Sequence, residues 1–190
     1  MALALAARHP DLVDRLVVIA APAPYDAVPW TPPGGIGEIE TLRELGVGEA
    51  RSRLARYFKR FVPPDGNPPD AIELLTSSPA DDEVLARHDV RGRLIEMLNV
   101  AFASGAGGPA DELTGYLLKP WGFGPADIQA KTLLLYGAKD PVAGSRHGSW
   151  WQRHLPNARV EVSPGRGSLA VVPLWGRALS HCAPRIKRQT

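Results

Sequence analysis

The chain holds a single cysteine, Cys182, in 190 residues. It therefore forms no disulfide within itself, and no Cys/His cluster has the spacing of a structural zinc site. A reducing, cytoplasmic compartment is expected. Net charge is scarce as well: 22 Lys+Arg stand against 20 Asp+Glu, leaving +2, too little for the broad positive field on which nucleic-acid binding relies. The basic tail at Arg185, Lys187 and Arg188 reads as a solvated terminus. No run approaches the ~20 apolar residues of a membrane span. The Ala/Leu-rich opening Met1–Ala7 has no basic segment before it and is ended by Arg8-His9-Pro10, so it does not read as an export signal. The glycines between Ser163 and Ser168 lack the G-x-x-x-x-G-K-[ST] pattern that cradles phosphate. Neither a cofactor nor a metal is expected.

What is present is an ordinary globular mixture, 44% hydrophobic and 22% charged, at a length that allows one domain. Ala2 to His9 are strong helix formers stopped by Pro10, which lacks an N–H and clashes with the preceding turn. No Ser, Thr, Asp or Asn precedes that first turn as a cap, so the helix reads as already under way at Met1. Leu16–Ala21 is a continuous apolar run with β-branched content, the pattern of a strand buried on both faces. Lys131–Tyr136, ended by Gly137, repeats it, and Ala158–Val162 alternates as an edge strand does. Gly148–Leu155 reads as a helix, which makes a parallel strand, helix, strand unit with the two runs around it. Val172–Cys182 reads as a closing helix.

Between the first strand and the second lie about a hundred residues with no strand pattern, too many for a structureless loop in a compact domain. This stretch opens dense in Pro and Gly, from Pro22 to Gly37, and then turns helical. Leu42, Leu45, Leu54, Tyr57 and Phe58 recur at helical spacing, as do Leu94, Met97, Leu98 and Phe102. The glycines of Ala103–Gly108 read as a helix-ending loop.

A small-residue helix, the phrase Ala7-Arg-His-Pro-Asp-Leu-Val-Asp-Arg-Leu-Val-Val-Ile19, a helical insertion and then Leu134-Leu-Tyr-Gly-Ala-Lys-Asp-Pro141 together resemble the second half of an α/β-hydrolase. Leu155-Pro-Asn-Ala158 resembles the turn into that family's last strand, and Ser163-Pro-Gly-Arg-Gly-Ser-Leu169 the loop after it. The resemblance implies a partial α/β-hydrolase fold, a three-stranded parallel sheet remnant with flanking helices and a helical cap. It divides the chain into core at 1–24 and 126–190 and cap at 25–125.

In that family the nucleophile sits in a G-x-S-x-G elbow before the helix that matches Ala2–His9. The motif occurs nowhere in this sequence, and the resemblance places it just upstream of Met1. With it would go donors of the oxyanion hole, usually the largest single contribution to acyl transfer. Asp140 matches the acid of the triad, although Asp140-Pro141 is also ordinary turn chemistry. Where the family carries Gly-x-Gly-His, this chain has Gly165-Arg-Gly-Ser168. A serine hydroxyl cannot act as the general base near neutral pH, whereas imidazole titrates there. His147 and His181 read as surface or helix-end residues. Trp30, Trp121 and Phe123 fall where the family's cap covers its substrate, and a core role is equally open for them.

Two functions follow from the resemblance. One is ancestry among hydrolases of ester or amide bonds, with the chain as given a truncated pseudoenzyme whose ligand is a small ester-like molecule. The other is a non-catalytic binding or assembly module that uses the cap or a free sheet edge. A strand at Leu16–Ala21 with no neighbour on one side invites self-association.

Overall fold

A computed structural model describes residues 1–32, 36–76 and 78–183. The basic tail from Arg185 onward lies outside the described residues. Three strands, β1 (Arg15–Ile19), β2 (Lys131–Gly137) and β3 (Ala158–Ser163), form one sheet in that order, all parallel. Val18 pairs with Leu134, and Leu134 with Val160, so the three apolar runs meet in register. The parallel sense brings the loops that leave all three strands to one rim.

Helices cover both faces. On one lie α1 (Ala2–Arg8) and α7 (Ser145–His154), where Ala6, Leu16, Val18, Leu134, Tyr136 and Trp151 share a core. On the other lies α8 (Val171–Cys182), whose Ala178 and Leu174 pack on Leu133, Leu135, Val17 and Ile19. α7 approaches the sheet closely because Gly148 has no side chain; a Cβ there would stand 2.7 Å from the Tyr136 ring and from Val160 Cγ2.

The first strand is shorter and less buried than its apolar run suggests. Leu16 and Val18 are buried, but Val17 and Ile19 keep part of their surface, giving an alternating pattern where burial on both faces was expected. The physical reason is position. β1 is an edge of this sheet, and no strand flanks its outer side among the described residues. The chain leaves it at Ala20, whose φ of 49° is unusual for a residue with a Cβ.

Between β1 and β2 the chain is helical: α2 (Ile39–Glu44), α3 (Gly46–Phe58), α4 (Asp82–Leu85), α5 (His88–Phe102) and α6 (Gly107–Leu118), with short 3-10 turns between them. Ile39, Leu42, Leu54, Phe58, Leu98 and Phe102 form a separate core within this insertion. Three residues of the expected apolar rows lie outside it, Leu94 because it borders a smaller cluster of Val84, Val90 and Leu169. Leu45 is at the break between α2 and α3, where Gly46 takes a φ of 74°, and Met97 faces outward at 48% exposure. The Ala103–Gly108 glycines do end α5, with Gly105 at φ 92°, but Gly107 and Gly108 already belong to α6. No described helix is long and apolar enough to cross a membrane.

Candidate functional site

The loops at the C-terminal rim of the sheet bring Asp140 and Ser168 onto adjoining segments. Asp140 lies three residues beyond β2 and is buried. Its Oδ1 accepts the backbone N–H groups of Val142 at 2.9 Å and Ala143 at 3.0 Å, a local turn that shapes the entry to α7. The loop after β3 lies directly against this one. Lys139 N–H donates to the Arg166 carbonyl at 2.8 Å, and a Cβ on Gly137 would strike the carbonyls of Arg166 and Gly167. Glycine at 137 is therefore what lets the two loops stack.

Ser168 opens the turn that leads into α8, and its Oγ is buried without a hydrogen-bond partner among the described residues. Its backbone is held from the insertion. Asp81, in the 3-10 turn Pro79–Asp81, accepts the N–H of Ser168 at 3.0 Å through Oδ2 and that of Leu169 at 2.9 Å through Oδ1. Burial raises the Asp81 pKa above its ordinary 3.8, the two N–H groups pull the other way, and the nearby carboxylates of Asp140 and Asp82 add to the rise. Asp81 is the residue that sequence reasoning missed. In Ser78-Pro-Ala-Asp-Asp-Glu83 it reads as one more acid at a helix start, and its partner is 87 residues away.

The two histidines separate. His147 is not a surface residue: it sits in the first turn of α7 at 1% exposure, and its Nδ1 accepts the N–H of Ala23 at 2.9 Å. Burial lowers its pKa, Arg146 adds to that, and Asp140 opposes it. His181 lies at the opposite end of the sheet, with Nε2 2.8 Å from the carbonyl of Lys131 at the start of β2. No imidazole stands at the position of Ser168.

Trp30 is not in the same compartment as Trp121 and Phe123. Trp30 borders a cavity of about 390 Å³ walled by Ile36, Phe58, Leu74 and Leu113, with Pro22 just beyond β1 at one end. Trp121 and Phe123 border a second cavity of about 270 Å³, with Tyr25 and Lys119. Tyr116 lines both. It is fixed there by its hydroxyl, which donates to the Pro22 carbonyl at 2.7 Å, and by its own carbonyl, which accepts from Trp121 Nε1 at 3.1 Å. Trp121 also stacks on Trp151 of α7, ring centroids 5.8 Å apart, so its role in the core is plain. Among the described residues no group of three or more His, Cys, Asp or Glu side chains could hold a metal ion.

A three-stranded parallel sheet with helices on both faces, a helical insertion after β1 and an acid beyond β2 define a class. The chain is an α/β-hydrolase-fold protein that carries part of that fold. Among curated proteins it is similar to the pimeloyl-[acyl-carrier protein] methyl ester esterase of Neisseria meningitidis, 29% identical over 172 residues, which cover 85% of this chain and 56% of that protein. Among solved structures it is similar to an α/β-hydrolase enzyme from a Medee basin deep-sea metagenome library, with a TM-score of 0.58 and 17% identity over 100% of this chain and 63% of that one. A thermophilic esterase from Thermogutta terrifontis gives a TM-score of 0.57 at 19% identity, over 93% of this chain and 56% of that one. The chain thus spans about three-fifths of the length of these relatives. No family model matches it.

Proposed function

We propose that the chain supplies the acid loop and the substrate-covering insertion of a hydrolase-like protein directed at small ester-type molecules, and that it does not hydrolyse them with its own residues. In this reading Asp140 occupies the acid position, Ser168 replaces the histidine, and the cavity beside Trp30 and Pro22 takes the acyl or alcohol part of the ligand. Its volume and apolar walls suit a small molecule. Trp121 and Phe123 support that cavity from behind Tyr116.

The observation that carries the inactive reading is at residue 168. Acyl transfer by a serine nucleophile needs a base that an acid orients. Here the side chain at 168 is a buried hydroxyl with no partner, and the Asp140 carboxylate is turned to its own loop. The sequence contains no G-x-S-x-G. The test is incubation with a short-chain chromogenic ester and with a fluorophosphonate serine probe, beside a Ser168→His variant. Both proteins are expected to stay unlabelled and to release no product above the buffer rate; covalent labelling of the unaltered chain would overturn the reading.

A second reading, a binding or assembly module in a cytoplasmic setting, is favoured by one feature. The outer side of β1 carries no strand among the described residues, and α8, which packs mainly on β1, leaves its own Trp175 and Leu179 more than half exposed. Unpaired strand groups and an apolar helix face promote association. Self-association through this edge is expected as a concentration-dependent rise in mass by light scattering, and a constant monomer mass at high concentration counts against it.

A further inference from the structure

The insertion touches the loop after β3 through one buried carboxylate. Both Asp81 oxygens are spent on that loop, on the N–H groups of Ser168 and Leu169, and a Cβ on Gly167 would stand 2.6 Å from them. Around the carboxylate, Val84 and Val90 from the insertion close with Leu169 in a small apolar cluster, with Leu94 and Val172 at its border. The Leu169 N–H is buried and that of Ser168 partly so, and neither has another acceptor among the described residues. On its far side the same loop is held by the Lys139 N–H, in the segment that carries Asp140.

We propose that Asp81 is a positioning residue: it fixes the backbone of residues 168 and 169 to the helical insertion, so that the side chain at 168 is set by the insertion as well as by the sheet. This rests on the reading of 168 as the position of a reacting side chain. Two consequences follow. Any ligand that shifts the insertion moves residue 168 with it, because a buried N–H that loses its acceptor is costly and the loop follows the carboxylate. And the bond is charge-assisted, so Asp81→Asn is not a silent replacement: its amide offers one acceptor oxygen and turns an NH2 toward the second N–H.

The charged groups around Asp81 are few. Asp82 and Glu83 stand on α4, Arg166 on the held loop is paired with Glu83 at 3.5 Å, Asp140 is beyond β2, and Arg87 before α5 is occupied by Asp89 at 3.3 Å. Residues 168–175 at the start of α8 carry no charge.

The experiment is amide NMR on the unaltered chain and on Asp81→Asn and Asp81→Ala. In the unaltered chain the amide protons of Ser168 and Leu169 should titrate together, with one midpoint above 3.8. Their exchange with solvent should be at least about tenfold faster in Asp81→Ala, the factor that one net hydrogen bond of ~1.4 kcal/mol supports, while amides of α7 stay protected. In a Ser168→His background, the introduced imidazole should give one narrow set of signals that Asp81→Asn broadens or splits. If the two amides do not titrate in the unaltered chain, or exchange no faster in Asp81→Ala, Asp81 does not position the loop. Because no step is read from hydrolysis, a labelled serine elsewhere would sink the proposed function and leave this result intact. Should Asp81→Ala fail to fold, the titration of the unaltered chain still decides.

Discussion

The buried ring of His147 accepts the backbone N–H of Ala23 through Nδ1 at 2.9 Å, tying the start of α7 to the segment that leaves β1. An accepting Nδ1 puts the proton of the neutral ring on Nε2. Protonation would turn two donors on each other. His147→Phe leaves the Ala23 N–H buried and unsatisfied and should cost about 1–3 kcal/mol in a denaturant titration.

The same ring makes acid stability testable. Burial first, then Arg146, lowers the folded-state pKa of His147 below its ordinary 6.5. The folded state thus binds fewer protons than the unfolded state between the two values, and stability falls as pH drops through that window. Above 6.5 the contribution is fully present. Urea midpoints measured downward from pH 7.5 should fall for the unaltered chain and be flatter for His147→Phe; parallel curves would show that His147 is not the titrating group.

Asp81 has the opposite sign. Its folded pKa is raised above 3.8, mainly by burial, so the folded state binds the extra proton and gains stability as pH falls toward 3.8. That gain is lost as pH rises through the folded value. The stability difference between the unaltered chain and Asp81→Asn should therefore favour the unaltered chain more at acidic pH than at neutral pH, and a difference independent of pH would contradict it.

Ser168→Ala removes a hydroxyl that has no partner, together with its desolvation cost, so it should be neutral or stabilising by up to ~1 kcal/mol in thermal melts. A loss of several kcal/mol would show that Oγ has an acceptor in solution.

Gly148→Ala puts a methyl group 2.7 Å from both Tyr136 and Val160. Glycine to alanine inside a helix ordinarily helps by about 1 kcal/mol. Here overpacking should reverse the sign and destabilise by about 1–3 kcal/mol, read as a lower denaturation midpoint.

The sheet was legible because each strand is a compact apolar run, and parallel pairing follows from the helix between the last two. Register was not read from the sequence; the structure pairs Val18 with Leu134 and Leu134 with Val160. Burial at single positions was not legible in the same way. Met97 sits at helical spacing with Leu94 and Leu98, yet faces out, because the period fixes a stripe and not its width. His147 does stand at a helix end, but its burial was not legible because its partner, Ala23, is 124 residues away. Asp140 and Ser168 were assigned positions through the family resemblance, whereas Asp81 had none: a helix-start acid gives no sign of which distant N–H groups it will meet. The grouping of Trp30 with Trp121 and Phe123 divided for a similar reason, since only coordinates reveal the phenol ring between them.

That ring has a consequence for how the interior could change. Tyr116 is a partition pinned at two points, to Pro22 and to Trp121, so each compartment has a fixed share of the space. A replacement at Leu113 reshapes the first chamber alone, and one at Phe123 the second alone. A shorter residue at 116 would redraw both at once, because this one side chain borders each of them.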